Sequence, residues 1–314
     1  MKISQLNPRY IKGLKALALG SLLATTPIKL AMREEPQVCD RFVKDVKHAK
    51  TIVVPDNYIH NGISIDWDML GDISHGEAVS ILLENGLPNV NILKRHVYAE
   101  NENDKLGLIK NLNNLFDSML EDIKQGKKYD AVNLSLGFSV SYEALSMETG
   151  LEITPEDVGY MTEYIKEALY KIPDDEFFIR AVPMKETLEA IKKMDELSKK
   201  GVKFYIAAGN SENRRFELFT LAENAVVVGA LDKKGRKASY TADNSMINRW
   251  ENGVVTSELT EDGYDLTGDG IMDFPDSRTT SWLKFWLPTM NIEGTSFATP
   301  RAIIKDFRNK TKKD

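Results

Sequence analysis

The 314-residue chain has one cysteine, Cys39, and only four histidines, at 48, 60, 75 and 96. A single thiol excludes an intramolecular disulfide framework and any multi-cysteine zinc site. Cys39 sits in "EEPQVCDRF", where neighbouring carboxylates raise a thiol's pKa and disfavour a nucleophilic thiolate. A strong charge of either sign is lacking too. The net charge of −6 gives no reason to expect nucleic acid as a partner, and the basic stretch from Lys305 to Lys313 reads as a solvated helix end. No internal repeat or low-complexity tract is visible. What remains is a chain long and apolar enough for one large domain or two small ones.

The N-terminus carries Lys2, Arg9, Lys12 and Lys15 around the apolar run "LKALALGSLLA", and no acid precedes Glu34. That order resembles an export signal, and the run is too short to form a stable membrane span. Residues 1–35 are therefore expected to be a signal or leader segment, with a secreted or cell-envelope protein as the outcome. The competing reading is an amphipathic helix packed on a cytoplasmic protein. Residues 36–314 would form the folded domain.

From about residue 50, short apolar runs alternate with helical periodicity. "TIVVP" (51–55) is a β-branched run suited to a buried parallel strand. "HGEAVSILLENG" (75–86) has helical spacing and ends in Asn-Gly, a plausible C-cap. A strand is expected over 89–98, an amphipathic helix over 108–128 and a strand over 129–137. Helices follow over 154–172, opening Thr-Pro-Glu-Asp, and over 183–201, with strands over 202–210 and 225–232. Such alternation predicts an α/β fold with a mostly parallel sheet. In such folds, loops at the carboxyl ends of the strands carry the chemistry.

Those ends hold a suggestive set of groups. Asp56 closes the first strand, and His75-Gly76 opens a helix. Ser135-Leu136-Gly137 follows one strand, and Gly209-Asn210-Ser211 follows another. Gly294-Thr295-Ser296 opens the last helix. An acid, an imidazole, an amide and a hydroxyl are the parts of acyl transfer by an activated serine.

The motifs now resemble those of the subtilisin-like serine proteases, over about residues 50 to 307. "GTSFATP" (294–300) is similar to the family's nucleophile box, "SHGEAV" (74–79) to its histidine box and "AAGNS" (207–211) to its oxyanion strand end. "VNLSLG" (132–137) is similar to its substrate-binding edge strand, and "VVVGALDKKGRKASYT" (226–241) to the strand and turn after the oxyanion residue. The order Asp, His, Asn, Ser is the family's own. The resemblance implies a three-layer fold, with helices on both faces of the sheet. It implies an endopeptidase acting on polypeptides, with Ser296 as nucleophile, His75 as base and Asp56 as its orienting acid. Asn210 would be the oxyanion donor. Ser135, Leu136, Gly137, Ala208 and Gly209 would bind substrate, and the enzyme would be a monomer. His60 competes for the base, and Asp66 and Asp72 for the acid.

Several departures stand out. Asn57-Tyr58 follows Asp56 where the family has Ser or Thr then Gly, and the segment between Asp56 and His75 is short. Glu77 and Ala78 stand where the family commonly has Thr and His. Phe138 replaces a common Gly and would narrow or cover the cleft. Residues 139–182 look like an insertion that either overhangs the cleft or elaborates the surface. These departures keep a second function open, a catalytically inactive subtilase-fold peptide binder. Finally, "DLTGDGIMDFPD" (265–276) can be numbered as a calcium loop. Asp265, Thr267, Asp269, Ile271, Asp273 and Asp276 are then the ligand positions of a structural calcium, with Gly270 at the turn. An acidic surface hairpin is the other reading.

Overall fold

The computed structural model describes residues 50–58, 74–99, 104–173, 182–259, 263–267, 272–275 and 289–310. They fall within one unit, Lys47–Asp314. The leader, Cys39, His60, Asp66, Asp72, Asp269, Ile271 and Asp276 lie outside the described residues.

In chain order the elements begin with β1 (Thr51–Asp56), α1 (His75–Gly86), β2 (Asn91–His96), α2 (Lys105–Lys124), β3 (Ala131–Leu134) and β4 (Ser139–Ser141). Next come α3 (Tyr142–Thr149), α4 (Val158–Lys171), α5 (Met184–Lys199), β5 (Lys203–Ala207), β6 (Arg215–Glu217), β7 (Val226–Leu231) and β8 (Arg249–Asn252). The last are β9 (Val254–Leu259), β10 (Gly263–Asp265), β11 (Phe274–Pro275), β12 (Thr289–Glu293) and α6 (Thr295–Lys310).

The β-branched run of β1 is buried at every position after the first, which requires cover on both faces. It lies inside a six-stranded sheet of order β2-β1-β3-β5-β7-β8. Every neighbouring pair in that sheet is parallel. Alternate residues supply the two faces. Val53, Val132, Leu134, Phe204 and Ile206 pack with α2 and α5 through Ile109, Leu112, Phe116, Ile191 and Met194. Ile52, Val54, Tyr205 and Val228 pack with α1 and α6 through Val79, Leu83, Phe297, Ala298 and Ile303. The result is the expected three-layer α/β arrangement. The chain runs from β1 to β2 on one side and later to β3 on the other, so the strand order reverses at β1. Ligands gather at the carboxyl side of such a switch point.

Two smaller sheets flank this frame. β11-β10-β9-β12 is antiparallel, and β12 leads directly into α6. β4 and β6 form an antiparallel ribbon, with Ser139 opposite Glu217. The 139–182 stretch is thereby tied to the strand that follows Asn210. Its Val140, Tyr142, Leu145, Ile153, Val158, Ile165 and Leu169 are buried in the same core as β3 and β5. The described part of this stretch therefore contributes to the core.

Three local expectations need correction. Phe138 does not cover the cleft; it is buried and meets Phe219 edge-on at 5.8 Å between ring centres. The helix expected from Thr154 starts at Val158, because Thr154 and Asp157 first close a turn on each other (Oγ1 to Oδ2, 2.8 Å). Gly86 is not a C-cap. It is the last residue of α1, and Leu87 caps the helix with an ordinary negative φ of −140°. Gly86 has a packing cause instead, since a Cβ there would fall 2.6 Å from Ile304 Cγ1 on α6. The Gly86→Ala substitution should therefore destabilise the protein by roughly 1–3 kcal/mol in urea unfolding, as overpacking does. A neutral or stabilising effect would show that α1 and α6 are not in contact there.

Candidate active site

Asp56 is the last residue of β1 and is fully buried. A carboxylate in that position needs hydrogen-bond partners. It has them in the Asn57 N–H, which donates to Oδ1 at 2.7 Å, and in His75 Nδ1, 2.9 Å from both Oδ1 and Oδ2. The imidazole that faces an ionised carboxylate through Nδ1 carries its proton there, which leaves Nε2 as its basic nitrogen. His75 is about one-third exposed, so it lies between the buried acid and solvent.

The brevity of the segment joining Asp56 to His75 is compensated by direct backbone contact. The Gly76 N–H donates to Asn57 O at 3.0 Å. A Cβ on Gly76 would lie 2.6 Å from that oxygen and 2.8 Å from Asp56 Cβ, so only glycine lets α1 come this close. Tyr58 seals the junction from below. Its hydroxyl reaches Ser80 Oγ at 2.8 Å and Val54 O at 3.2 Å, and burial pushes its pKa well up, keeping it neutral. Its N–H donates to His96 Nδ1 at 3.1 Å. Burial lowers the His96 pKa, which favours the neutral ring able to accept that bond.

Glu77, one of the two departures from the expected histidine box, has a local reason. Ser74 is the N-cap of α1, and Glu77 completes a capping box: the Glu77 N–H donates to Ser74 Oγ and the Ser74 N–H to Glu77 Oε2. Glu77 thus stabilises the turn that presents His75.

Ser296 is the second residue of α6 and is mostly buried. Two features of its own box shape its surroundings. Pro300 has no N–H, so the carbonyl of Ser296, four residues earlier, has no helical donor. Ser135 Oγ donates to that carbonyl at 2.9 Å, and Asn133 Nδ2 donates to Ser135 Oγ at 2.9 Å. The end of β3 is thereby tied to α6, and the Ser135 hydroxyl is a strut and not a free lining group. The ring of Phe297 stands 5.7 Å from that of His75 and ties the Ser296 turn to α1.

Asn210 is exposed at the end of β5. Its Oδ1 accepts from the Thr295 N–H at 2.9 Å and from Thr295 Oγ1 at 3.0 Å. A backbone N–H can only donate, so the amide is oriented with Nδ2 outward. Nδ2 and Ser296 Oγ border the same space over Gly294: a Cβ there would sit 3.4 Å from one and 3.0 Å from the other. Of the other edge positions, Leu136 and Ala208 are buried, Gly209 is half-buried and Gly137 is exposed. Thr295 and Pro300 stood inside the quoted box without a role. The signals that could have found them are the missing N–H of Pro300 and a hydroxyl beside the candidate nucleophile.

The loop from Asp265 is described only at Asp265, Thr267 and Asp273 among the proposed ligand positions. Asp265 Oδ1 accepts the Thr267 N–H, and Asp273 Oδ2 accepts those of Leu266 and Thr267. No group of three or more metal-ligating His, Cys, Asp or Glu side chains occurs among the described residues. No described helix is long and apolar enough to cross a membrane.

A profile of the subtilase family (Peptidase S8) matches residues 71–302, a span that holds His75, Asn210 and Ser296 and begins after Asp56. A search of curated proteins found no match. Solved structures similar to the chain include a lanthipeptide protease, 15% identical, with 81% of this chain and 71% of that one covered and a TM-score of 0.43. A cold adapted subtilisin-like serine proteinase is 18% identical over 80% of this chain and 71% of its own, with a TM-score of 0.38. The epidermin leader peptide processing serine protease from Staphylococcus aureus is 14% identical over 82% and 64%, with a TM-score of 0.42.

The contact between Gly76 and Asn57 gives a direct test. Gly76→Ala should lower kcat on a peptide substrate by about 10²-fold, the scale of a misplacement near 1 Å, while circular dichroism still reports a folded protein. Unchanged kcat would mean that the approach of α1 to β1 does not set the His75 position.

Proposed function

The chain belongs to the subtilase family of serine peptidases, and on that premise we propose that it is an endopeptidase using Asp56, His75 and Ser296 as a triad and Asn210 as oxyanion donor. The observation that carries the proposal is the bond between buried Asp56 and His75 Nδ1, at 2.9 Å, with the ring of Phe297, next to Ser296, 5.7 Å from that of His75.

The chemistry follows from these positions. Ser296 Oγ attacks the scissile carbonyl carbon as His75 Nε2 removes its proton. Asp56 holds the Nδ1 proton and stabilises the imidazolium that forms. The carbonyl oxygen becomes an oxyanion and takes hydrogen bonds from Asn210 Nδ2 and the Ser296 N–H, the latter at a helix N-terminus that favours negative charge. His75 then returns the proton to the leaving amine. Water, activated by the same imidazole, releases the acyl group from Ser296. Thr295 never touches the substrate in this scheme; it fixes the donor before charge develops, so no reorganisation is needed at that moment. The alternative of an inactive peptide binder drew on the unusual histidine box and the short Asp56–His75 segment, among other departures. The capping role of Glu77 and the backbone bond from Gly76 weigh against those two.

A fluorophosphonate probe should label the protein and should fail on Ser296→Ala. Asn210→Ala should lower kcat about 10²–10³-fold, the usual cost of one oxyanion donor, with KM little changed. An unlabelled wild-type protein would refute the triad, and a large change in KM with unchanged kcat would refute the role of Asn210.

A further inference from the structure

Glu217 is a buried carboxylate that the mechanism does not use. It closes β6, directly behind the strand end Ser135-Leu136-Gly137, and its carboxylate occupies the space into which a side chain at Gly137 would project. Gly137 is the exposed member of that strand end, while Ser135 and Leu136 are buried. Only a residue with no side chain at 137 leaves room for this carboxylate beneath the exposed end of the strand.

The surroundings of Glu217 are unbalanced. The Phe138 N–H donates to Oε1 at 2.7 Å, and the amides of Phe219 and Leu218 also favour the anion. From β4 the contact is this backbone and the paired Ser139. Arg215, on Glu217's own strand, is the charged side chain that acts on it, and its guanidinium is committed to Ser139 Oγ and O at 3.1 and 2.6 Å. Desolvation accordingly pushes its pKa up to about 7. A buried carboxylate whose one nearby cation is bonded elsewhere is costly to ionise, and a cation brought by a ligand would relieve that cost.

We propose that Glu217 sets the specificity of the peptidase, binding the ammonium or guanidinium group of a lysine or arginine on the acyl side of the scissile bond. This rests on the reading of Leu136, Gly137, Ala208 and Gly209 as substrate-binding residues, whose edges would carry the aliphatic stem of such a side chain while the carboxylate beneath Gly137 receives its charge. A neutral side chain of equal length would leave the ionised carboxylate unpaired.

The test uses the full chain and two peptides of one sequence that differ only in lysine against norleucine at that position. The ratio of their kcat/KM values cancels the titration of His75, which both share. At pH 8.5 the ratio should favour lysine by roughly 30-fold or more, the scale of a desolvated charge pair. It should fall as the pH drops through about 7 and Glu217 takes up a proton, because the lysine side chain stays charged throughout. Glu217→Gln should bring the ratio close to unity while the rate of fluorophosphonate labelling stays within about twofold of the parent. A parent ratio near unity at pH 8.5, or one indifferent to pH between 5.5 and 8.5, overturns the proposal even if the Gln variant fails to fold. So does a folded Gln variant that keeps the preference. A parent protein that neither labels nor cleaves either peptide overturns the peptidase reading itself, a distinguishable outcome.

Discussion

A carboxylate with no solvent exposure must find its hydrogen bonds within the protein, and Asp56 finds them at one junction. That junction joins the end of the central β1 strand to the start of α1. The same carboxylate accepts from the backbone of its own turn and from His75, so the bond that satisfies the acid also fixes the ring. Much of the surrounding structure serves this contact. Gly76 removes the side chain that would hold α1 away, Tyr58 braces the turn against Ser80 and Val54, and the Ser74–Glu77 capping box sets the helix start.

A parallel arrangement holds the other half of the site. Proline inside α6 deprives the Ser296 carbonyl of its helical donor, and Ser135 fills the place. Thr295 uses both its N–H and its hydroxyl to turn Asn210 outward. The seven-residue box "GTSFATP" therefore contains the proposed nucleophile, the residue that orients the Asn210 amide and a carbonyl that ties the helix to β3. These ties are short hydrogen bonds between helix and strand ends, which is how a site reaches useful precision.

How much of this was legible in the sequence differs by element. The β-branched run 51–55 and the amphipathic run 108–128 announced a strand and a helix, because burial imposes their periods directly. The order of Asp56, His75, Asn210 and Ser296 announced the family. Other features depend on long-range contacts that no local pattern encodes. Gly86 read as a cap because Asn-Gly favours helix ends, whereas its cause is Ile304, far along the chain. Phe138 read as a cleft residue because its partner Phe219 belongs to a turn after β6. Glu217 drew no notice at all, since a lone glutamate in "RRFELF" has no signal until the β4–β6 ribbon brings it behind Gly137.

The proposed mechanism depends on the tautomer that Asp56 imposes on His75. The direct measurement is the 15N spectrum of histidine-labelled protein at pH 8, with His75→Gln used to assign its signals. The expected result is a protonated, strongly hydrogen-bonded Nδ1 and an unprotonated Nε2, with the Nδ1 proton lost to rapid exchange in Asp56→Ala. A His75 ring protonated at Nε2 in the wild-type protein, or one unaffected by the loss of the Asp56 carboxylate, would contradict it.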